Sequence, residues 1–126
     1  MNFKSSKEIQ SKLAKGLLDM IVLEYVSGVG VHGYQIITSI RKDFGVYFGP
    51  STVYPLLGHL EKKGYLKSAW DMKAERPKKI YKLTVQGEEF LNFTKNSLKL
   101  ISRSLLEDKV ELQPATASEK LLLTTH

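Results

Sequence analysis

Apolar residues early in the chain recur at three- and four-residue spacing, which predicts a long first helix. Residues 1–8 are polar and read as a frayed lead-in, after which Ile9, Leu13, Leu17 and Met20 follow one side of a helix running past Glu24 to about Val26. Its second half, LLDMIVLEYV, is apolar nearly all round, interrupted by Asp19 and Glu24, so it must be covered on more than one side. A second subunit could supply part of that cover. Gly28 and Gly30 break the pattern, and Gly33 to Phe44 resumes it, with Tyr34, Ile36, Ile37, Ile40 and Phe44 as the expected buried set. After a turn over Gly45 to Pro50, a third helix is expected near Ser51. Ser51 or Thr52 would accept from the free amides of its first turn, and Pro55 falls close to positions where a missing N–H costs least. Val53, Leu56, Leu57 and Leu60 form its apolar face, while Ser51, Thr52, Tyr54, Gly58 and His59 lie largely elsewhere. Lys62 and Lys63 suit the negative end of this helix, and Gly64 supplies a left-handed stop.

From Tyr65 the period changes to two. Leu66, Ser68, Trp70 and Met72 point one way, and Tyr65, Lys67, Ala69 and Asp71 the other. A second strand is expected over Lys79 to Leu83, joined to the first by the polar loop KAERPKK, in which Pro77 holds Arg76 extended. Thr84 can cap a last long helix that carries Glu88 and Glu89 in its first turn and runs to about Leu106. Phe90, Leu91, Leu98, Ile101 and Leu105 cluster on one of its faces, widened by Phe93 and Leu100.

The implied fold class is mainly α with a small β wing: a winged helix-turn-helix flanked by N-terminal and C-terminal dimerisation helices. Its expected boundaries are 9–84 for the winged domain, 85–112 for the C-terminal dimerisation helix and 113–126 for a tail. In that tail Thr116 to Glu119 has capping-box spacing before three leucines, so it is either disordered or a short helix packed on the dimer.

Charge narrows the choice of partner. Nineteen Lys and Arg against thirteen Asp and Glu give the 126 residues a formal charge of +6, an excess that favours a polyanion such as nucleic acid. The absence of cysteine excludes disulfides and thiolate zinc sites. His32, His59 and His126 are scattered, with no metal-ligand spacing, no paired-carboxylate site and no phosphate-cradling loop. Gly28-Val29-Gly30 follows a helix rather than a strand, the wrong context for a dinucleotide. The chain is therefore expected to be no enzyme and to need no cofactor or metal. No apolar leader opens the sequence and no segment approaches a membrane span, so a soluble cytoplasmic protein is expected.

Double-stranded DNA is the partner these patterns fit. The third helix offers Ser51, Thr52, Tyr54 and His59 to a major groove, and none is the Arg or Asn of the strongest base pairings, so moderate specificity with a contribution from DNA shape is expected. The wing gathers Lys67, Lys73, Arg76, Lys78, Lys79 and Lys82 against Asp71 and Glu75; Lys73, Arg76, Lys78 and Lys79 are its expected DNA contacts. Leu17 and Ile21 of the first helix, with Phe90, Leu91, Leu98, Ile101 and Leu105 of the last, are the expected homodimer residues. Tyr25, Trp70, Phe90 and Phe93 could line a pocket for a small hydrophobic effector. Two other readings remain at this level: a winged-helix protein-interaction module, and a sensor binding aromatic compounds at the dimer interface.

The stretch Gly49 to Leu66 resembles the PadR family of winged-helix transcriptional regulators, whose recognition helix reads close to S-x-x-T-V-Y-P-L-L-x-x-L-E-x-x-G-Y-L. Thr52 to Leu57, Leu60-Glu61 and Gly64-Tyr65-Leu66 match it; His32-Gly33-Tyr34 resembles the family's H-G-Y, and Arg76-Pro77, Tyr81, Leu83-Thr84 and Gly87 its wing ending. The resemblance covers roughly residues 13 to 90. It implies a homodimeric repressor on a partly palindromic operator, with the third helix in the major groove and the wing beside it. The short segment after Gly87 is similar to the small subclass, which implies dimerisation through the first and last helices. Several relatives respond to phenolic acids or hydrophobic drugs, but no residue here identifies such a ligand.

Overall fold

The computed structural model describes residues 2–73 and 75–107; the expectations for 108–112 and for the 113–126 tail lie outside them. Along the chain run α1 (Phe3–Gly16), α2 (Leu18–Val26), β1 (Val31–His32), α3 (Gly33–Phe44), α4 (Pro50–Lys62), β2 (Leu66–Asp71), β3 (Lys78–Leu83) and α5 (Val85–Leu106). A first compact unit extends to Leu91, and a second begins at Asn92.

The N-terminal segment departs from expectation at both ends. Helix α1 starts at Phe3, because the Asn2 side chain accepts a 2.8 Å hydrogen bond from the Ser5 amide and caps the first turn. The single expected helix is broken at Leu17, which leaves helical geometry (φ −105°, ψ 10°) directly after Gly16, a residue of low helix propensity. Beyond the break, Leu18, Ile21, Val22, Leu23 and Val26 of α2 are all buried, and α3, α4 and β3 pack around them. The chain itself therefore supplies cover on the several sides that LLDMIVLEYV demands.

Helix α3 buries Gly33, Ile36, Ile37 and Ile40, a complete i, i+3, i+4, i+7 stripe. Tyr34 and Phe44, expected in the core, lie off that stripe or beyond its end and are exposed. The Gln35 side chain accepts from the His32 amide at 2.8 Å and fixes the helix start. Helix α4 begins one turn-position earlier than expected: Gly49 is its N-cap and Pro50 its first residue. Ser51 and Thr52 are thus inside the first turn rather than capping it, and Pro55 stands in the helix interior, on the exposed side. A Cβ on Gly49 would stand 2.9 Å from the Tyr47 hydroxyl oxygen, the far end of an exposed side chain that can swing aside. Gly64 ends the helix in the left-handed region at φ 87°, as its place in the sequence required.

Strands β2 and β3 pair antiparallel from Leu66↔Leu83 to Asp71↔Lys78, which forms the wing. The sheet order is β1-β3-β2, with Val31 opposite Tyr81 and His32 opposite Ile80. Strand β1 leaves no periodic signature in the sequence, because it is only two residues long. Thr84 caps α5 as anticipated: its Oγ1 accepts from the Gly87 amide at 2.9 Å and donates to the Gly64 carbonyl at 2.6 Å.

One hydrogen bond between α2 and α3 gives a pH-dependent prediction. The Tyr25 hydroxyl donates to Asp43 Oδ2 at 2.5 Å, and burial, that bond and the Asp43 charge push its pKa up to about 12. The folded chain favours the protonated phenol, so this stabilisation is intact below pH 10 and is lost as pH rises towards 12. Tyr81, raised chiefly by burial, acts in the same direction. The denaturant midpoint is expected to fall across that window, and Tyr25→Phe to flatten part of the fall. An identical fall in both proteins would remove Tyr25 as a source.

Candidate nucleic-acid interface

On α4, Val53, Leu57 and Leu60 are buried, which leaves the opposite side of the helix to solvent. Ser51, Tyr54, Pro55, Gly58 and His59 are exposed along it, and Thr52 is half-buried at its edge. The stripe is uncharged and, at Pro55 and Gly58, low in relief, so a nucleic-acid groove could approach the helix closely. The acid on α4 is engaged elsewhere: Glu61 Oε2 accepts a 2.6 Å hydrogen bond from the Ser68 hydroxyl, which ties the end of α4 to β2. Periodicity carries no signal for that tie, because the two residues belong to different periodic segments.

The wing carries its charge outward. Lys67, Lys73, Arg76, Lys78, Lys79 and Lys82 are all exposed. Lys79 Nζ lies 5.5 Å from the centre of the Trp70 ring, an exposed cation–π contact that holds this side chain along the strand. Asp71, at the loop end of β2, accepts from the Lys73 amide at 3.1 Å and lies 3.8 Å from His32 Nε2. Between α3, α4 and the wing is a crevice of about 430 Å³, walled by Tyr34, Tyr54, Trp70 and Tyr81, with Lys78 and Lys79 at its rim.

The expected dimer residues divide by burial. Ile21 (6% exposed) and Leu91 (4%) fill the core of the first unit and cannot serve a partner, which corrects the expectation for those two. Phe90 stacks on Tyr65, with ring centres 4.3 Å apart, and packs against the same core. Leu17 and Leu98 are half-buried, whereas Ile101 and Leu105 are exposed, as are Leu13, Phe93 and Leu106. Within the first unit, Trp70 borders the crevice between α3, α4 and the wing, Tyr25 donates to Asp43 and Phe90 stacks on Tyr65. Among the described residues no cluster of His, Asp or Glu is placed to hold a metal ion. No described helix is long and apolar enough to cross a membrane.

A helix-turn-helix formed by α3 and α4, followed by an antiparallel wing, defines a winged-helix protein of the DNA-binding class. The profile of the transcriptional regulator PadR-like family matches residues 22–92, and the chain belongs to that family, whose members are transcriptional regulators and not enzymes. Among solved structures it is similar to a PadR family transcriptional regulator from Eggerthella lenta, at 27% identity and a TM-score of 0.72, over 81% of this chain and 89% of that one. A PadR-like transcriptional regulator from Bacillus cereus is 26% identical with a TM-score of 0.68, over 75% of this chain and 93% of that one. No curated protein matches the chain.

Proposed function

We propose that the protein is a homodimeric repressor that binds double-stranded DNA, with α4 in the major groove and the wing on the adjacent backbone or minor groove. The observation that carries this reading is the pairing, within one compact unit, of an uncharged, low-relief face on α4 with an exposed cationic wing. In it Ser51, Thr52 and His59 face bases, while Lys73, Arg76, Lys78 and Lys79 neutralise phosphates. The PadR-family membership supports the regulatory role.

The dimer interface is assigned to α5 (Val85–Leu106), on the apolar side chains that this helix leaves in solvent. Ile101 and Leu105 are one turn apart, with Leu98 on the same stripe, and Phe93 is two turns before Ile101. Burying each such side chain contributes roughly 1.5–3 kcal/mol before ordering costs. The winged domain, 9–84, then reads DNA from each protomer, in the cytoplasm.

The test is binding to duplexes from upstream of the protein's own gene and to random duplexes, by fluorescence anisotropy across a salt series, with stoichiometry from sedimentation. Two protomers per duplex are expected, protecting half-sites about 34–36 Å apart. Adding the protein to a transcription reaction on the upstream template should lower transcript yield. A folded single subunit with no affinity for any duplex at low ionic strength would refute the proposal.

A further inference from the structure

We infer that Tyr54 is a positioning residue: its ring, seated on the bare Cα of Gly33, sets the roll of α4 against α3 and so aims Ser51, Thr52 and His59. The role rests on the DNA-binding reading above and assigns Tyr54 a different task from the base contact that its place on α4 suggested.

A Cβ built on Gly33 would stand 2.5 Å from Tyr54 Cε1, 2.9 Å from Cζ and 3.2 Å from the hydroxyl oxygen. The tyrosine ring therefore fills the space that any other side chain at position 33 would need. Gly33 is buried, and it is not among the glycines with positive φ, so its backbone conformation does not demand glycine. The tyrosine does. The two short motifs that stand far apart in the sequence, His32-Gly33-Tyr34 and Thr52-Val53-Tyr54-Pro55, meet at this contact.

The mechanical consequence follows from helix packing. Val53, Leu57 and Leu60 anchor the back of α4 in the core along one line, and a cylinder held along one line can still roll about it. Tyr54 projects off that line and plants a rigid ring on the first turn of α3. The Glu61–Ser68 bond braces the other end of the helix against β2. Tyr81 of β3 also borders the crevice beside the ring, so α3, α4 and the wing all meet around Tyr54. A roll of α4 would swing Ser51, Thr52 and His59 across the groove floor while leaving the phosphate contacts of the wing in place.

The decisive experiment compares Tyr54→Phe, Tyr54→Ala, Gly33→Ala and the double variant Gly33→Ala/Tyr54→Ala in the full chain. Affinity for the operator duplex is measured across a salt series, with unfolding curves recorded for each protein. Tyr54→Phe keeps the ring and should stay within about twofold of wild type, whereas Tyr54→Ala should lose about tenfold or more, the scale of one lost base contact, at an unchanged salt slope. Gly33→Ala evicts the ring and should match that loss. The double variant should be no weaker than Tyr54→Ala alone, because the alanine at 33 then has nothing to displace.

If Phe loses as much as Ala, the hydroxyl contacts DNA directly and the positioning role is overturned. Additive losses in the double variant overturn it as well. If Gly33→Ala does not fold, the Phe-against-Ala comparison still decides. Wild-type protein that binds no duplex instead overturns the DNA reading, while the unfolding cycle separately tests the Gly33–Tyr54 coupling.

Discussion

Gly87→Ala is expected to destabilise the folded chain by about 3 kcal/mol or more, the upper range for forcing an extra methyl into a packed site. A methyl at this position would overlap the Tyr65 carbonyl oxygen and lie 2.7 Å from Leu83 Cδ1 and 3.0 Å from the Tyr65 carbonyl carbon. Two of those three atoms are backbone, so no side-chain rotation relieves the clash. The site is also where the chain turns from wing to last helix: Thr84 donates to the Gly64 carbonyl, its amide donates to the Tyr65 carbonyl at 3.1 Å, and its hydroxyl accepts from the Gly87 amide. Moving α5 away to admit the methyl would break that set of bonds together. For a domain of this size each kcal/mol lowers Tm by about 4–8 °C, so a fall of at least about 12 °C is expected by thermal unfolding.

The same substitution has the opposite expected sign at Gly58, where an added Cβ meets nothing within 4 Å and the residue sits inside α4. There alanine reduces the freedom of the unfolded chain and should stabilise by about 0.4–1 kcal/mol. Equal Tm values for the two variants would contradict the close approach of α5 to the Tyr65 backbone.

Reversing two wing charges should have the largest effect on DNA binding. Arg76→Glu with Lys78→Glu changes exposed side chains at the tip and at the start of β3. Surface substitutions of this kind change stability by only about 0.5 kcal/mol, so the fold is expected to survive. Each lost phosphate contact should flatten the slope of log affinity against log salt by about 0.9, hence by about 1.8 per wing and about 3.6 for a dimer. Affinity near physiological salt should fall by about a hundredfold or more, for random and upstream duplexes alike, because phosphates carry no sequence information. Lys79 is left intact in this design, since its contact with Trp70 would mix a packing change into the electrostatic one. An unaltered slope in the double variant would take the wing out of the interface.

The helix-turn-helix and wing were legible because each rests on a local rule. Ile36, Ile37 and Ile40 mark the core face of α3 by spacing, Gly64 stops α4, and Thr84 caps α5 through a bond three residues along the chain. Local signals mislead where they compete with one another or with a neighbour distant in sequence. Ser51 is a good cap by type, yet Gly49 takes the position because Pro50 fits the first turn. LLDMIVLEYV correctly demanded cover all round, but its periodicity could not tell cover by α3, α4 and β3 from cover by a second chain. Periodicity marks Ile21 and Leu91 as apolar, but it cannot say whether the chain's own core or a partner covers them.

The candidate interface divides along the same line. Sequence alone determined which residue types would be available: an uncharged stretch on α4, a run of cations in the wing, and two short motifs of glycine and tyrosine. Tertiary structure decided what each side chain touches. It committed Glu61 to Ser68, placed Lys79 over Trp70 and lodged Tyr54 on Gly33. Periodicity specifies the direction of a side chain relative to its own helix or strand, whereas these contacts depend on how separate elements are packed, which no single periodic segment encodes.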